Sequence, residues 1–339
     1  MQRLPGLALS LLVAFAALGL HRLLPDALAA PVGPVLLAVL LGLLAGNLLP
    51  QPAALTPGIH YAFGTLLRAA IVLLGASLSL QSIAATGLQA LLMVVLLMAI
   101  ALAVAHAMGR LLGVPGKLAT LLGVGAAVCG NTAISATGPV IGASDRDLSL
   151  AIATNTLFGT LAVFLYPIMG HALGFDDATF GTWAGSAVND TSQVVATGFA
   201  YSEEAGRVAT TVKLTRNALM VFVIVGMAFA HRSEATRHLP FWPMVRRSVP
   251  VFVLGFLAMA LLNTLGGVAW LGERLHRPLA ADLQAAAKFL TIVALAGVGL
   301  ATKFAMLRQT GFRPVLLGLT TALAVSLASL GLIRLLGPA

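Results

Sequence analysis

Charge is what this sequence has least of. Twenty basic and eleven acidic residues among 339 leave it 9% charged, against roughly 25% in a soluble domain. With 59% hydrophobic residues, such a chain cannot clothe a globular surface, which excludes a soluble enzyme or a soluble binding module. Cysteine is scarcer still. Cys129 is the only one, so an intramolecular disulfide and a multi-cysteine metal site are both excluded. Long polar stretches are lacking too: the connections 231–248 and 268–283 are the longest, and both are too short to bury a core of their own. Function must therefore reside in the apolar part.

What the sequence does have is apolar runs near the length of a membrane-spanning helix, about 20 residues. Eleven such elements are expected near 7–21, 31–50, 61–80, 88–113, 118–143, 148–173, 179–201, 206–230, 249–267, 284–302 and 314–336. They predict an all-α polytopic membrane protein with one transmembrane domain over 1–339. The formal charge of +9 argues for orientation in a membrane rather than for nucleic acid. Arg232, Arg237, Arg246 and Arg247 crowd one loop, and Lys303, Arg308 and Arg313 another. With Arg110 and Lys117 they mark one face as cytoplasmic by the excess of positive charge on that side. The expected location is the bacterial inner membrane, with a cytoplasmic N-terminus. The first run resembles a signal peptide, with Ala27, Leu28 and Ala29 at a cleavage-like position, but an uncleaved first helix suits a polytopic chain better. His60, Tyr61 and the three tryptophans are expected at the interfaces.

Two polar phrases interrupt this pattern. GAAVCGNTAISATG at 125–138 and GSAVNDTSQVVATG at 185–198 agree at six of fourteen positions. Each sits inside an apolar element and sets glycine beside Asn, Thr and Ser, residues that weaken a helix or compete for its backbone hydrogen bonds. Irregular backbone at membrane depth is tolerated only against protein or a wet cavity, and paired interruptions point to a transporter's binding site. ATNTLFG at 153–159 and LTRNALM at 214–220 extend the likeness, and IVLLGASL at 71–78 is echoed by IVALAGVGL at 292–300. If 118–143 and 179–201 cross fully, the copies run parallel; if they re-enter as hairpins, the copies are inverted. The hairpin version suits the common transporter plan.

Asp190 is the one acid inside an apolar element. An intramembrane carboxylate points to proton transfer, cation binding or an ion pair, or to capping of the half-helix that follows, by accepting an N–H near Ser192 or Gln193. Lys213 and Arg216, one turn apart with Asn217 and Thr210, are its expected partners or present positive charge to an anion. Candidate substrate contacts are Asn131, Thr132, Ser135, Asn189, Thr191, Ser192, Lys213, Arg216 and Asn217, with Asp190, Asn155 and Thr156 as coupling or ion-pair residues. Small polar residues also hold membrane helices together. Lys288 and Lys303 are expected to be interfacial anchors. Cys129 as a nucleophile would need a base, and neither interrupted segment contains a histidine.

The run CGNTAISATGPVIGASDRDLSLAIATNTLFGTLAVFLYPIMG, followed by FGTWAGSAVNDTSQVVATGF and VATTVKLTRNALM, resembles the bacterial sulfate-exporter family of membrane proteins. More distantly, the first interrupted element and its successor resemble the bile-acid symporter and cation/proton antiporter group. That resemblance implies a substrate-carrying core, here about 118–230 with parts of 61–113 and 284–336, moving against a scaffold. In that group the interrupted helices cross as an X, which competes with the hairpin version, and the paired aspartates of the antiporters are absent here. The expectation is a secondary transporter, not an enzyme, exporting a small anion such as sulfate by alternating access. It needs no cofactor beyond Na⁺ or H⁺ as coupling ion, and its partners are the anion, the bilayer and, in a homodimer, a second copy. The alternative is cation-coupled symport of an organic anion.

Overall fold

A computed structural model describes residues 3–25, 33–230, 251–303 and 311–338. The described residues are helical, with no strand among them. The basic loop of Arg232, Arg237, Arg246 and Arg247, together with Arg308 and the cleavage-like 27–29, lies outside them. Six helices are long and apolar enough to cross a membrane, and a seventh span exists if one bent pair counts as a single crossing. The remaining apolar elements are shorter, because several expected spans are divided.

The chain forms two compact units, Met1–Ala85 with Phe199–Ser202 and Val251–Phe304, and Thr86–Gly198 with Glu203–Pro250 and Ala305–Ala339. The first contains α1 (Leu4–Leu23), α2 (Pro34–Leu48), α3 (Ala53–Leu74), α12 (Val251–Thr264), α13 (Gly267–Leu275) and α14 (Leu279–Ala301). Its tightest crossing joins α2 to α14. A Cβ on Gly42 would lie 2.4 Å from the Ala296 carbonyl, and one on Gly299 2.4 Å from that of Val39. Such backbone approach is how membrane helices gain packing where the hydrophobic effect gives none. Lys303 does more than anchor: its ammonium donates to Gly46 O and, at 2.5 Å, to Gln51 Oε1, while Asn47 Nδ2 reaches Thr302 O at 2.8 Å.

One expectation fails in this unit. Part of the supposed polar connection 268–283 is helical, since α13 follows α12 after a 71° bend. Gly266, at φ 74°, makes that bend, and the apolar residues of a short amphipathic helix at 267–275 are too few for a run of spanning length to register.

The second unit contains α4 (Leu80–Leu111, from Thr86 on), α5 (Gly116–Ala127), α6 (Asn131–Val140), α7 (Asp145–Ala172), α8 (Asp177–Ala187), α9 (Thr191–Tyr201, to Gly198), α10 (Glu203–Ala218), α11 (Met220–Ala230) and α15 (Phe312–Leu336). The 28 residues of α7 extend roughly 42 Å. A Ser144–Asp147 capping box starts the helix. Both interrupted elements pack beside it.

Candidate functional site at the meeting of two helical hairpins

The breaks fall where the two polar phrases lie. The first element ends its α5 arm at Ala127 and restarts at Asn131, with Gly130 at φ 67°. The second ends α8 at Ala187 and restarts at Thr191, with Val188 extended. Each element doubles back. A straight helix would hold Lys117 and Gly142 roughly 37 Å apart, yet Lys117 Nζ donates to Gly142 O at 2.5 Å. In the second element, Cβ atoms built on Gly181 and Gly198 would lie 2.8 and 3.1 Å from one atom, Ala205 O. The α5–α6 hairpin adjoins the Asp145 end of α7, and the α8–α9 hairpin adjoins its Ala172 end. They therefore enter from opposite ends of a spanning helix.

Their tips meet beside the middle of α7. Asn155 Nδ2 donates to Asn131 Oδ1 at 2.9 Å, and Asn131 Nδ2 to Thr156 Oγ1 at 3.1 Å. Gln193 Nε2 reaches Thr156 O at 3.1 Å and Thr160 Oγ1 at 3.2 Å. The tips also touch: a Cβ on Gly130 would be 2.9 Å from Asp190 Cα.

Each half-helix leaves unsatisfied backbone groups at the break, and the charged residues answer them by sign. Lys213 donates to Val128 O at 2.8 Å, Val188 O at 3.0 Å and Asn189 O. Arg216 donates to Ala127 O at 3.2 Å, Ser186 O at 2.7 Å, Val188 O at 3.3 Å and Ala126 O. Both bases are buried, at 0% and 1% exposure, and each binds carbonyls from both hairpins. They sit where the negative ends of the α5 and α8 dipoles converge. At the positive ends of α6 and α9, Asp190 accepts from the Ser192 N–H at 3.0 Å, the Ser192 hydroxyl at 2.6 Å and the Asn131 N–H at 3.3 Å. Asp190 thus caps both hairpins at once.

The expected pairing of Asp190 with Lys213 or Arg216 is not made; helix ends separate the acid from the bases, and all seven donor contacts of the bases go to carbonyl oxygens. Asn189, Asn155 and Asn217 are buried. Asn131, Thr156, Asp190, Thr191 and Ser192 are half-buried, while Thr132 and Ser135 are exposed. The tips therefore present a polar, partly open surface next to a buried charged layer. Asn217 Nδ2 donates to Thr191 Oγ1 at 3.2 Å. Thr210 bonds back to Gly206 O at 2.7 Å within its own helix. Cys129 is buried with its thiol 3.2 Å from the Met220 thioether.

Sequence reasoning missed three structural residues. Trp183 is not interfacial: it is fully buried, stacked 4.0 Å from Tyr166, and donates to Ser326 Oγ at 3.1 Å. The hairpin carries it inward, and nothing in its local sequence marks that depth. Gln193 ties the second tip to α7, where Gly159 makes room for it. Gly130 differs from the other glycines of its phrase only in its conformation.

The model for conserved hypothetical protein 698 matches residues 5–318. The chain is 36% identical to a UPF0324 membrane protein of Streptococcus pyogenes serotype M18 over 99% of its own length and 98% of that protein's. It is 32% identical to one of Streptococcus agalactiae serotype V, again over 99% and 98%, and 30% identical to one of Fusobacterium nucleatum over 99% of each. No solved structure matches.

Proposed function

The chain belongs to the UPF0324 membrane protein family, and we propose that it is a secondary transporter that moves a small anion, sulfate or a related sulfur oxyanion, outward by alternating access. One observation carries the reading: the N-terminal ends of two half-helices from opposed hairpins converge at Asp190, beside a partly open polar surface. Helix N-termini favour anions, and broken helices near the middle of a membrane are where transporters bind substrate. The formal charges there, Lys213 and Arg216 against Asp190, leave one positive charge for an anion to neutralise. Sulfur oxyanions enter through the resemblance to the sulfate exporters.

In this reading the two hairpins, each with the helix after it, are an inverted repeat, the second unit carries the substrate, and the first is the scaffold. The Arg110 and Lys117 face is cytoplasmic and the Asp176 and Glu203 face is external, in a bacterial inner membrane. No catalytic step is involved. The test is flux of radiolabelled sulfate from liposomes that hold the purified chain; a protein that moves Na⁺ or H⁺ but no anion under any gradient overturns the proposal. Cation-coupled symport of an organic anion is the second reading, favoured by the half-buried carboxylate of Asp190, and Na⁺-dependent thermal stabilisation would select it.

A further inference from the structure

Arg68 is a charged residue on the exposed side of a spanning helix. It lies on α3, six residues before the end at Leu74, roughly 9 Å along the axis. It is exposed, as are Thr65 and Ala69 beside it. Among the described residues, neither the Arg68 guanidinium nor the Thr65 hydroxyl has a hydrogen-bond or ion-pair partner. A charge inside a span is costly against lipid and marks a ligand or a water-filled path. The common escape is for the side chain to reach the nearer interface. Helical side chains lean toward the helix N-terminus, so Arg68 leans away from its near end. The other end, at Ala53, is fifteen residues off, about 22 Å.

The composition of that face points the same way. α3 is no more buried than α7, with 39% of the spanning stretch buried in each. Yet α7 exposes Leu161, Leu165, Ile168 and Met169, whereas α3 exposes no large apolar residue among the described residues. A helix that met lipid along this face would carry such residues there. One turn before Arg68, the helix widens into a π turn at Ala62–Leu66, a feature that collects at functional sites. Gly64 lies in that turn, four residues from Arg68 and hence on the same side of the helix. A Cβ on Gly64 would meet nothing within 4 Å. Arg68 therefore leans toward open space, next to the Thr65 hydroxyl.

We propose that Arg68 and Thr65 form a binding station for the transported oxyanion on a water-lined face of α3, the guanidinium supplying charge and paired N–H donors and the hydroxyl a further donor. The planar fork of arginine matches the spacing of two oxygens on one oxyanion. Lys213 and Arg216 donate to backbone carbonyls, whereas the donors of Arg68 are free among the described residues. The station rests on the anion reading and adds to it a contact on the first unit. Loss of a charge-assisted hydrogen bond weakens binding about tenfold or more.

The experiment uses the full chain in liposomes, with a small charged thiol reagent added to both sides of the membrane. In a Cys129→Ser background, Thr65→Cys and Ala69→Cys should react, while Leu161→Cys, on the apolar exposed side of α7, should stay unreactive. Sulfate at constant ionic strength should slow the reaction of Ala69→Cys. Arg68→Gln should raise the sulfate concentration at half-maximal efflux about tenfold or more, and Arg68→Lys, which keeps the charge, should recover part of the loss. Unchanged sulfate efflux in Arg68→Gln overturns the station and leaves the anion reading standing. Cysteines that react no faster than Leu161→Cys place the face against lipid and overturn the station too, whether or not the arginine variants fold. Protection of Ala69→Cys by added phosphatidylglycerol in place of sulfate assigns the guanidinium to a lipid phosphate and also overturns it. Reactive cysteines with neither sulfate protection nor sulfate efflux overturn the anion reading, and the ligand of the station with it.

Discussion

Gly130 and Asp190 face each other at the point where the two hairpins touch: a Cβ on Gly130 would lie 2.9 Å from Asp190 Cα and 3.0 Å from its Cβ. They occupy the same position in the two phrases, and only one of them can carry a side chain. The contact therefore makes the copies unlike at this position, and the one carboxylate present caps both. Gly130→Ala adds a methyl group at this contact and at a φ of 67° that side chains rarely adopt. A cost of about 2–4 kcal/mol is expected from strain and overpacking, read as a lower unfolding temperature in detergent.

Lys213→Met and Arg216→Met should be more damaging than most core changes, because each strips carbonyls of two hairpins at once. About 3–5 kcal/mol is expected, because each change leaves several buried carbonyls unpaired at about 1–3 kcal/mol apiece. Arg216→Lys should not restore stability, since one ammonium cannot reproduce a planar fork that reaches Ala126, Ala127, Ser186 and Val188. Unfolding midpoints of the three variants check this, and wild-type stability in Arg216→Lys would contradict the stapling role.

The two phrases exposed the breaks because glycine, Asn and Asp are costly in an apolar helix, so their placement was legible. The position of Asp190 at a break was legible for the same reason. What the bases bind was not. Lys213 and Arg216 read as charges in search of an acid, but their partners are backbone carbonyls, and the same groups occur at every residue. Only the break, and the return of each chain beside α7, brings those carbonyls to one place. Trp183 was misplaced for a related reason: its burial depends on the return of α8 beside α7 and on Ser326 of α15, which is remote in sequence.

Asp190→Asn and Asp190→Ala should separate the two things the carboxylate does. An asparagine retains one acceptor, for the Ser192 amide, but sets an NH₂ where Oδ2 accepts the Asn131 amide and removes the negative charge from the helix N-termini. Under the anion reading, Asp190→Asn should bind sulfate more tightly than the wild type, at a stability cost of about 1–3 kcal/mol for the Asn131 amide left unmet. Asp190→Ala should lose more stability, because all three of its donors go unmet. Sulfate-dependent thermal shifts of the two variants provide the measurement; weaker binding in Asp190→Asn would mean that the carboxylate serves a cation.

Outside the membrane-spanning part, Asp176 caps α8 by accepting the Thr179 N–H at 2.7 Å, a bond that holds its carboxyl below the ordinary Asp range. Because the folded value is the lower one, the stabilisation is complete above the unfolded pKa, about 3.9, and is lost as pH falls through the folded value. Asp176→Ala should therefore cost about 1 kcal/mol or less near neutral pH. The gap between variant and wild type should close under acid, and a gap that persists in acid would assign the loss to something other than the cap.

The hairpins make a topological demand that a pair of X-crossed helices does not. Gly116 and Ala143 flank the first hairpin, and the bond from Lys117 to Gly142 holds these flanks together at the Asp145 end of α7. Phe175 and Glu203 flank the second, at the other end. In a Cys129→Ser background, Gly116→Cys and Ala143→Cys should react with an impermeant thiol reagent from one side of the membrane. Phe175→Cys and Glu203→Cys should react only from the other. Full crossings would instead separate Gly116 from Ala143, because the element would then traverse the bilayer between them, and labelling of that pair from opposite sides would exclude the hairpin. The outcome decides the topology and not the charge layers: two broken helices crossed at their breaks would also bring two N-terminal ends together at Asp190 and two C-terminal ends together at Lys213 and Arg216, so those roles stand under either result.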